Sequence, residues 1–360
     1  MKILYVITST DVGGAEQALL SLVRDLSPLH TIKVISLKPF GALAKKMEEA
    51  GAEEVISLNM TGMGVGIITA ISNEIRDFQP DIVHAMLFRA IQFCRCACAG
   101  KPCKLITTLH FDLSKKIFFL RWLDRFLKVI DKVTVAESMT TKDFLIQSQK
   151  YPSDKVHYIA NSPQKDAFFP DVILRKKMRA KYGYLPKNVV FICVARLAEV
   201  KQPMMVLNAF YKVFKNDENI RLVWVGDGEE HNRAAAFIEK NKLKKVILLA
   251  GEQENINAWL NMADVFVLAS KEELLPIALL EAVQVGKPCL VTRVGDMPLW
   301  VEQSNTGCVF PPGYETLLCC FMAALAEKAE TRRSMSKKML KTAERITDTS
   351  QQYQQLYQQI

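Results

Sequence analysis

Short apolar runs rich in β-branched residues alternate with amphipathic helical stretches along nearly the whole chain. Apolar runs of this kind are typical of buried parallel strands, and their alternation with helices predicts a doubly wound α/β fold. In the first half of the chain, the predicted strands cover residues 2–8, 32–36, 53–57, 81–84, 104–109, 132–136 and 156–159. In the second half, they cover residues 188–194, 222–225, 246–249, 265–268 and 289–292.

A proline-containing segment with a charged, helix-like insert at residues 175–184 separates the two series of strands. Such a break is typical of an interdomain linker, and a chain of 360 residues is long enough for two domains. The expected parts are an N-terminal Rossmann-like domain over 1–165, a linker over 166–187 and a C-terminal Rossmann-like domain over 188–344. A polar C-terminal helix at about 345–360 is expected to pack back on the first domain.

Two consecutive Rossmann-like domains predict a cleft between their parallel sheets, with ligands at the carboxyl ends of the strands. The formal net charge of +9 indicates an anionic partner, which could be a phosphate-rich small molecule, an anionic bilayer or nucleic acid. Nucleic acid ranks last and is not expected, because the chain has neither zinc-finger spacing nor an RNA-recognition aromatic motif.

The beginning of the chain predicts a strand rather than a signal peptide, because Thr8 and the polar residues after it end the first apolar run at once. The chain also lacks a run of about 18 apolar residues, so no membrane span is expected. These features favour a cytoplasmic protein, either free or peripheral on the inner face of the membrane. Nine cysteines in such a compartment are expected to be free thiols.

Four of the cysteines are clustered, and such a cluster could in principle bind a metal ion: Cys94, Cys96, Cys98 and Cys103. In a helix, Cys94 and Cys98 share a face while Cys96 points elsewhere, which is a poor tetrahedral set. The cluster therefore favours small apolar helix residues, and no metal is predicted.

The first candidate for chemistry is the loop at residues 11–16, which follows the first strand and opens a helix. Gly13 and Gly14 would let the backbone approach a ligand, and a helix start offers free N–H groups to an anion. A tight turn without a ligand fits this loop equally well. The pattern is not the G-x-G-x-x-G fingerprint, which disfavours a nicotinamide enzyme.

The second half carries a stronger pattern. Arg196 and Lys201 follow a strand end, where two cations suit a diphosphate and would neutralise its charge as it leaves. Glu273 lies in the loop before a helix whose first residue is expected to be Pro276, and Glu281 lies inside that helix. Carboxylates of this kind accept paired hydroxyl hydrogen bonds from a sugar or a ribose.

On these residues the chain resembles, over nearly its whole length, the family 4 retaining glycosyltransferases of the GT-B fold, also called glycosyl transferases group 1. That family has an Arg with a Lys five residues on, matched by Arg196 and Lys201, and two Glu eight positions apart, matched by Glu273 and Glu281. The resemblance implies that Arg196 and Lys201 hold the donor diphosphate. It also implies that Glu273 contacts the transferred sugar and Glu281 contacts the ribose.

The resemblance places further residues at the donor: Gly13, Gly14, Gly251, Ile277 and Ala278. It places His110, at the end of a middle strand, beside the transferred sugar, so that His110 and Glu273 form the catalytic pair. His84 is interpreted as a scaffold residue.

The implied activity is a metal-independent, retaining glycosyltransferase of the hexosyltransferase type, which has no cofactor and takes a nucleotide diphosphate sugar as donor. The implied acceptor is a hydroxyl of a glycan or of a lipid-linked molecule, as in polysaccharide biosynthesis, with an anionic membrane surface as a further partner. The alternatives are a non-catalytic nucleotide-sugar-binding protein, a membrane-surface scaffold and a GT-B nucleotide-sugar epimerase.

The sequence departs from the family pattern at Leu274, where many members carry Gly directly after the first Glu. A bulky side chain there would reshape the sugar pocket, which leaves the transferred sugar open. Ala195 and Gln202 also replace the usual glycines on either side of the Arg and Lys pair.

A basic, aromatic stretch at residues 115–128 has the spacing of a helix with a narrow polar stripe and a wide apolar face. Such a helix could lie on an anionic bilayer near a lipid-linked acceptor. The width of the apolar face favours burial in the core of the first domain instead.

Overall fold

A computed structural model describes residues 1–62, 64–110, 113, 116–164 and 166–360. The chain divides into two compact units. Unit 1 comprises Met1–Asn161 and Asp348–Ile360, and unit 2 comprises Ser162–Thr347. Each unit is built on its own parallel sheet with helices on both faces, so the predicted α/β class with two Rossmann-like units is confirmed.

Unit 1 has a seven-stranded sheet in the order β3-β2-β1-β4-β5-β6-β7. Its strands are β1 Lys2–Ile7, β2 Thr31–Ser36, β3 Glu54–Ser57, β4 Ile82–Met86, β5 Lys104–Leu109, β6 Val133–Ala136 and β7 Val156–Tyr158. Its helices are α1 Gly14–Leu26, α2 Ala44–Glu49, α3 Val65–Phe78, α4 Phe88–Cys98, α5 Phe118–Leu127 and α6 Met139–Gln147, with α15 Thr349–Gln359 returning from the end of the chain. Short 3₁₀ helices lie at Lys128–Ile130 and Ser153–Lys155.

Unit 2 has a six-stranded sheet in the order β10-β9-β8-β11-β12-β13. Its strands are β8 Val189–Val194, β9 Ile220–Val225, β10 Ile247–Leu249, β11 Val265–Leu268, β12 Cys289–Thr292 and β13 Gly307–Phe310. Its helices are α7 Val172–Lys181, α8 Pro203–Phe214, α9 His231–Lys240, α10 Ile256–Met262, α11 Ile277–Gln284, α12 Met297–Val301, α13 Glu315–Glu327 and α14 Ala329–Ala343, with a 3₁₀ helix at Glu199–Lys201. The strand β13 was not predicted, because the short sequence Gly-Cys-Val-Phe is too brief to give a period.

The C-terminal helix α15 is bound to unit 1 through a buried hydrogen-bond network, with Tyr353 and Tyr357 facing the sheet. His84 on β4 lies 2.6 Å from the Tyr357 hydroxyl through Nδ1 and 2.7 Å from Thr108 Oγ1 through Nε2. Tyr5 on β1 bonds Tyr357, and Tyr353 bonds Thr108. Burial lowers the pKa of His84 to about 3, so this imidazole is neutral, in agreement with its interpretation as a scaffold residue.

The segment assigned to a linker from the sequence, 166–187, instead belongs to unit 2 and contains helix α7. Arg175 and Arg179 on α7 both bond the carboxylate of Asp264, at 2.6 and 3.1 Å. Asp264 also accepts from the backbone N–H of Val190 on β8. The linker prediction was wrong here because Arg175 and Arg179 are paired with Asp264 inside the unit, and a one-dimensional pattern does not reveal that pairing.

Helix α5 also differs from its prediction. Its aromatic residues Phe118, Phe119, Trp122 and Phe126 are exposed, and the buried residue of the helix is Asp124. The expectation that the apolar face is buried in the core was therefore wrong. The reason is that Asp124 pairs with a buried arginine, Arg95 on α4, which turns the side of the helix that carries Asp124 inward.

Candidate active site

The site in unit 2 is built from loops that follow neighbouring parallel strands, which all end at the same edge of the sheet. The loop after β8 packs on the end of β9, where the indole N–H of Trp224 donates to the carbonyl of Ala195 at 2.8 Å. Gly226 has a φ of +121°, and a Cβ there would lie 2.2 Å from the same carbonyl oxygen. The backbone N–H of Gly226 donates to the carbonyl of Gly251, at 2.8 Å, which joins the end of β10 to this edge.

Arg196 is exposed and lies across a second glycine of the loop after β9. A Cβ at Gly228 would lie 3.0 Å from the Arg196 Cγ and 2.5 Å from the carbonyl oxygen of Leu197. Both glycines belong to the turn at residues 225–228, where β9 ends. The structure gives them a definite role, since the absence of side chains at Gly226 and Gly228 determines where the stem of Arg196 lies.

Lys201 and Glu273 form an ion pair between the loops after β8 and β11. The same oxygen of Glu273 accepts a hydrogen bond from the Ser270 hydroxyl at 2.8 Å, and Ser270 is fully buried. The Ser270 carbonyl in turn accepts from the hydroxyl of Thr292 at 2.6 Å. This chain of contacts fixes the carboxylate of Glu273 beside a cation.

The backbone directly after Glu273 is held by the loop after β12. The N–H of Asp296 donates to the Leu274 carbonyl at 2.8 Å. Gly295 has a φ of +52°, and a Cβ there would lie 2.1 Å from the Leu274 oxygen and 2.5 Å from the Glu273 oxygen. The departure from the family at Leu274 therefore lies on a backbone that is rigidly placed by its neighbours.

Helix α11 starts next to this loop, with Pro276 as its N-cap rather than as its first residue. The first N–H groups of a helix have no acceptor inside the helix, so those of Ile277 and Ala278 are suited to an anion. Glu281 lies one turn further on and is partly buried. Burial raises the pKa of Glu281 to about 7.

In unit 1, the glycine pair opens helix α1, with Gly13 as its N-cap. Glu16 is buried and accepts a hydrogen bond from the hydroxyl of Ser9 at 3.0 Å. A Cβ at Gly13 would lie 2.4 Å from a carboxylate oxygen of Glu16, whereas a Cβ at Gly14 would meet nothing within 4 Å. The Glu16 carboxylate thus lies against the helix start, where backbone N–H groups favour negative charge.

His110 follows β5 and lies beside Glu137, which follows β6. Its Nδ1 is 2.6 Å from Glu137 Oε1, at ion-pair distance although not at the angle of a hydrogen bond, and both side chains are almost fully buried. Because β5 and β6 are parallel neighbours, their carboxyl ends bring the two residues together. This contact places Glu137 beside His110, the residue predicted for the site.

Several residues that contact or support the predicted ones do not stand out in the sequence: Glu16, Glu137, Gly226, Gly228, Ser270 and Gly295. Each lies in a loop just after a strand or at a helix start, and this shared position is the signal that could have found them. The charged residues could be selected from the sequence because they match a motif of fixed spacing. Their supports are single residues whose effect depends on contacts distant in sequence.

The residues predicted for the site in unit 2 thus lie at one edge of the sheet, where Lys201 contacts Glu273. In unit 1, Gly13 follows β1 and His110 follows β5. Over the described part of the chain, no group of three or more His, Cys, Asp or Glu side chains could hold a metal ion. The unit 2 arrangement combines cations, a helix start and a carboxylate, so it can bind a phosphorylated ligand and accept hydrogen bonds from its hydroxyls.

Comparison with known families gives two matches that together cover most of the chain. Residues 175–342 match the family described as Glycosyl transferases group 1, and residues 12–162 match the family described as Glycosyltransferase Family 4. The chain belongs to the family 4 glycosyltransferases. The resemblance inferred from Arg196, Lys201, Glu273 and Glu281 is confirmed.

Two curated relatives illustrate the family. The N-acetyl-alpha-D-glucosaminyl L-malate synthase of Bacillus anthracis is 27% identical over 66% of this chain and 62% of its own length. The UDP-Gal:alpha-D-GlcNAc-diphosphoundecaprenol alpha-1,3-galactosyltransferase of Escherichia coli is 30% identical over 63% of this chain and 61% of its own length. The chain thus matches about three-fifths of the length of each of these relatives.

Among solved structures, HepE of Anabaena in complex with UDP has a TM-score of 0.87 and 18% sequence identity, with 100% of both chains covered. This likeness establishes the fold of the family 4 member described here as the glycosyltransferase GT-B fold. No helix in the described ranges is long and apolar enough to cross a membrane.

Proposed function

We propose that this family 4 glycosyltransferase transfers a hexose from a nucleoside diphosphate sugar to a hydroxyl group of a glycan or lipid-linked acceptor. The configuration at the anomeric carbon is retained, and neither a metal ion nor another cofactor takes part. The Escherichia coli relative is named for a UDP-galactose donor and a lipid-diphosphate acceptor, and HepE has been solved with UDP, which supports a donor and an acceptor of these classes.

The observation that carries the proposal is the contact between Lys201 and Glu273, with Arg196 exposed on the adjacent loop. A diphosphate bound by Arg196, Lys201 and the first N–H groups of α11 is neutralised by protein cations, which makes a divalent cation unnecessary. Glu273 then lies next to the phosphate that carries the sugar. Glu281, one turn into α11, binds the ribose hydroxyls.

In the reaction, the nucleoside diphosphate leaves from the same face on which the acceptor hydroxyl attacks. The acceptor O–H proton passes to the leaving phosphate oxygen, while the new glycosidic bond forms as the bond to the diphosphate breaks. Lys201 and Arg196 stabilise the negative charge that develops on the diphosphate. Glu273 and His110 position the sugar and stabilise its positive charge, and neither acts as a nucleophile.

Gly251 lies at the donor site through its contact with the loop after β9. The backbone N–H groups of Ile277 and Ala278 contact the donor phosphate. Gly13 and Gly14 are assigned to the donor on the family pattern alone. Because the Glu16 carboxylate lies against Gly13, a phosphate at this helix start requires the Glu16 side chain to move away.

We place the protein in the cytoplasm, together with its proposed nucleotide-sugar donor. There it binds an anionic membrane surface, which holds a lipid-linked acceptor. Nucleic acid is not a partner in this proposal. The net charge of +9 favours an anionic surface and an anionic donor.

The test is a thermal-stability panel of the purified chain against nucleoside diphosphates and their sugar conjugates in the presence of EDTA. A ligand that binds only the folded state raises the melting temperature through mass action. We expect one nucleotide and its sugar conjugate to stabilise the chain, and product analysis with that donor to give the retained anomer. Binding without turnover on any acceptor would favour a nucleotide-sugar-binding protein, and absence of binding would contradict the proposal.

A further inference from the structure

Helix α5 presents a continuous aromatic face to the outside. Phe118, Phe119, Trp122 and Phe126 are 75%, 62%, 48% and 58% exposed. Successive helix positions are about 100° apart, so these four lie on one side of the helix. The Trp122 ring lies 4.4 Å from the ring of Phe126 and 6.3 Å from that of Phe119, measured between centroids.

This orientation is fixed from the opposite side of the helix by Asp124. Its carboxylate accepts from Arg95 at 2.7 Å, from the Tyr151 hydroxyl at 2.6 Å and from the Gln92 amide at 3.1 Å. Arg95 is fully buried and also pairs with Asp131 at 2.6 Å. Rotating the aromatic face inward would take Asp124 away from Arg95 and leave the buried guanidinium short of a partner, which is strongly destabilising for a buried ion.

The exposed surface around the aromatic face is cationic. Over residues 116–132, the acidic residues are Asp124 and Asp131, and both are buried against Arg95. Arg125 and Lys132 are exposed. The charges that this segment offers to a partner are therefore positive.

We propose that helix α5 docks the protein on an anionic lipid bilayer, with the four aromatic rings in the interface between headgroups and acyl chains. Exposed aromatic rings beside cations fit such a surface, because the rings gain from burial and the cations from the negative surface potential. A second copy of the chain fits less well, because it would bring two cationic rims together. The inference rests on the membrane placement proposed above, but it does not depend on the transfer reaction.

The tryptophans provide a direct readout. Trp224, Trp259 and Trp300 are buried, and Trp122 is the exposed member of the four in the chain. Brominated lipid in phosphatidylglycerol-containing vesicles should therefore quench the fluorescence of Trp122 selectively. The Trp122→Phe variant should bind the vesicles and lose the quenching.

Two pairs of matched variants test the surface by vesicle sedimentation. The double change Phe119→Ser/Phe126→Ser should weaken binding roughly tenfold or more, because two rings lose their burial. The control Val172→Ser/Ile173→Ser alters exposed apolar residues of unit 2 and should leave binding unchanged. Arg125→Glu/Lys132→Glu should likewise weaken binding to phosphatidylglycerol vesicles, whereas Lys176→Glu/Lys177→Glu, with the same change in net charge on exposed residues, should not.

The outcomes separate this inference from the proposed function. Absence of quenching, or equal losses in the test and control variants, would overturn the docking surface even if donor binding and transfer are intact. A concentration-dependent dimer that Phe119→Ser/Phe126→Ser abolishes, without vesicle binding, would show a self-interface and also overturn it. Vesicle binding through α5 without donor binding would instead support the docking surface and contradict the transferase proposal.

Discussion

Lys201 and Glu273 are 72 positions apart in sequence and form an ion pair across two loops of the same sheet edge. The family pattern assigns the first to the donor diphosphate and the second to the sugar. Their contact means that the two assignments describe one site, in which the carboxylate also positions the ammonium group. A change at Lys201 should therefore alter mainly the affinity for the donor diphosphate, and a change at Glu273 mainly the rate of transfer.

The first prediction concerns this pair. Lys201→Met should weaken nucleoside diphosphate binding by about tenfold or more, because it removes a charge-assisted contact of about 1.5–3 kcal/mol. Glu273→Gln should leave that binding unchanged or tighter, because Lys201 is released, while the rate of transfer falls. Titration calorimetry and an initial-rate assay measure the two effects.

The control for this pair is Lys271→Met, since Lys271 lies in the same loop but pairs with the exposed Glu199. It should alter neither binding nor rate. Equal losses of nucleotide affinity in the Lys201 and Glu273 variants would contradict the separate assignments.

A second prediction follows from the close approach at Gly295. Gly295→Ala should lower the melting temperature and impair transfer, because a Cβ at this φ of +52° would lie 2.1 Å from the Leu274 oxygen. Gly100→Ala is the matched control, since Gly100 has a φ of +73° and a Cβ there would meet nothing within 4 Å. Both changes carry the left-handed backbone cost of about 1 kcal/mol, so an equal effect would show that the contact with the 273–274 backbone is unimportant.

The third prediction is a pH dependence at Glu281. The folded state raises the pKa of Glu281 from 4.5 to about 7, so the folded protein holds this proton more tightly than the unfolded chain. The contribution of Glu281 to the free energy of unfolding is therefore full below pH 4.5 and is lost as the pH rises to about 7.

Glu281→Gln should remove this dependence. Urea unfolding across the pH range should show the wild type losing stability relative to the variant between pH 4.5 and 7. A difference that is constant across that range would disprove the raised pKa. In the same variant, nucleotide binding should weaken above pH 7, where the wild-type carboxylate is ionised and accepts the ribose hydroxyls.

The fourth prediction is that His110 and Glu137 act together. Glu137→Gln and His110→Asn should each slow transfer while the affinity for a free nucleoside diphosphate is retained. Because the two side chains lie 2.6 Å apart, the double variant should be little slower than the slower single variant. Losses that multiply in the double variant would show that the residues act independently.

The fifth prediction concerns the buried network that orients α5. Arg95→Met should destabilise the protein by about 3–5 kcal/mol, because it leaves Asp124 and Asp131 buried without their cation. Arg76→Met, which removes a fully exposed pair with Asp77, should change the stability far less, because solvent screens the two charges. Denaturant unfolding of both variants measures the difference, and similar values would contradict the importance of burial.

Most strands could be predicted because each is a short run of buried apolar residues. The predicted strand at residues 104–109, for example, coincides with β5 Lys104–Leu109. The motif of charged residues could be recognised in the sequence because its two spacings are local. Lys201 follows Arg196 by five positions, and Glu281 follows Glu273 by eight. The partner of His110 could not be predicted from the sequence, because Glu137 comes near it only through the parallel pairing of β5 and β6.

Helix α5 shows the limit of pattern reasoning. Its spacing predicts a helix with an apolar face, and the structure contains that helix. The direction of the face depends on Arg95, 29 positions away from Asp124, whose buried charge requires a carboxylate. The apolar stripe thus shows that α5 is amphipathic. The ion pair between Asp124 and the buried Arg95 decides which side of the helix faces the core.

The α/β class, the two series of strands and the family of the chain follow from local periodicity and from motifs of fixed spacing, so they can be inferred from the amino-acid sequence. Three relationships are seen only in the folded protein: Lys201 contacts Glu273, Glu137 lies beside His110, and the aromatic face of α5 points outward. Those relationships depend on which strands are neighbours and on which charges share a buried volume, and neither is a property of any single segment.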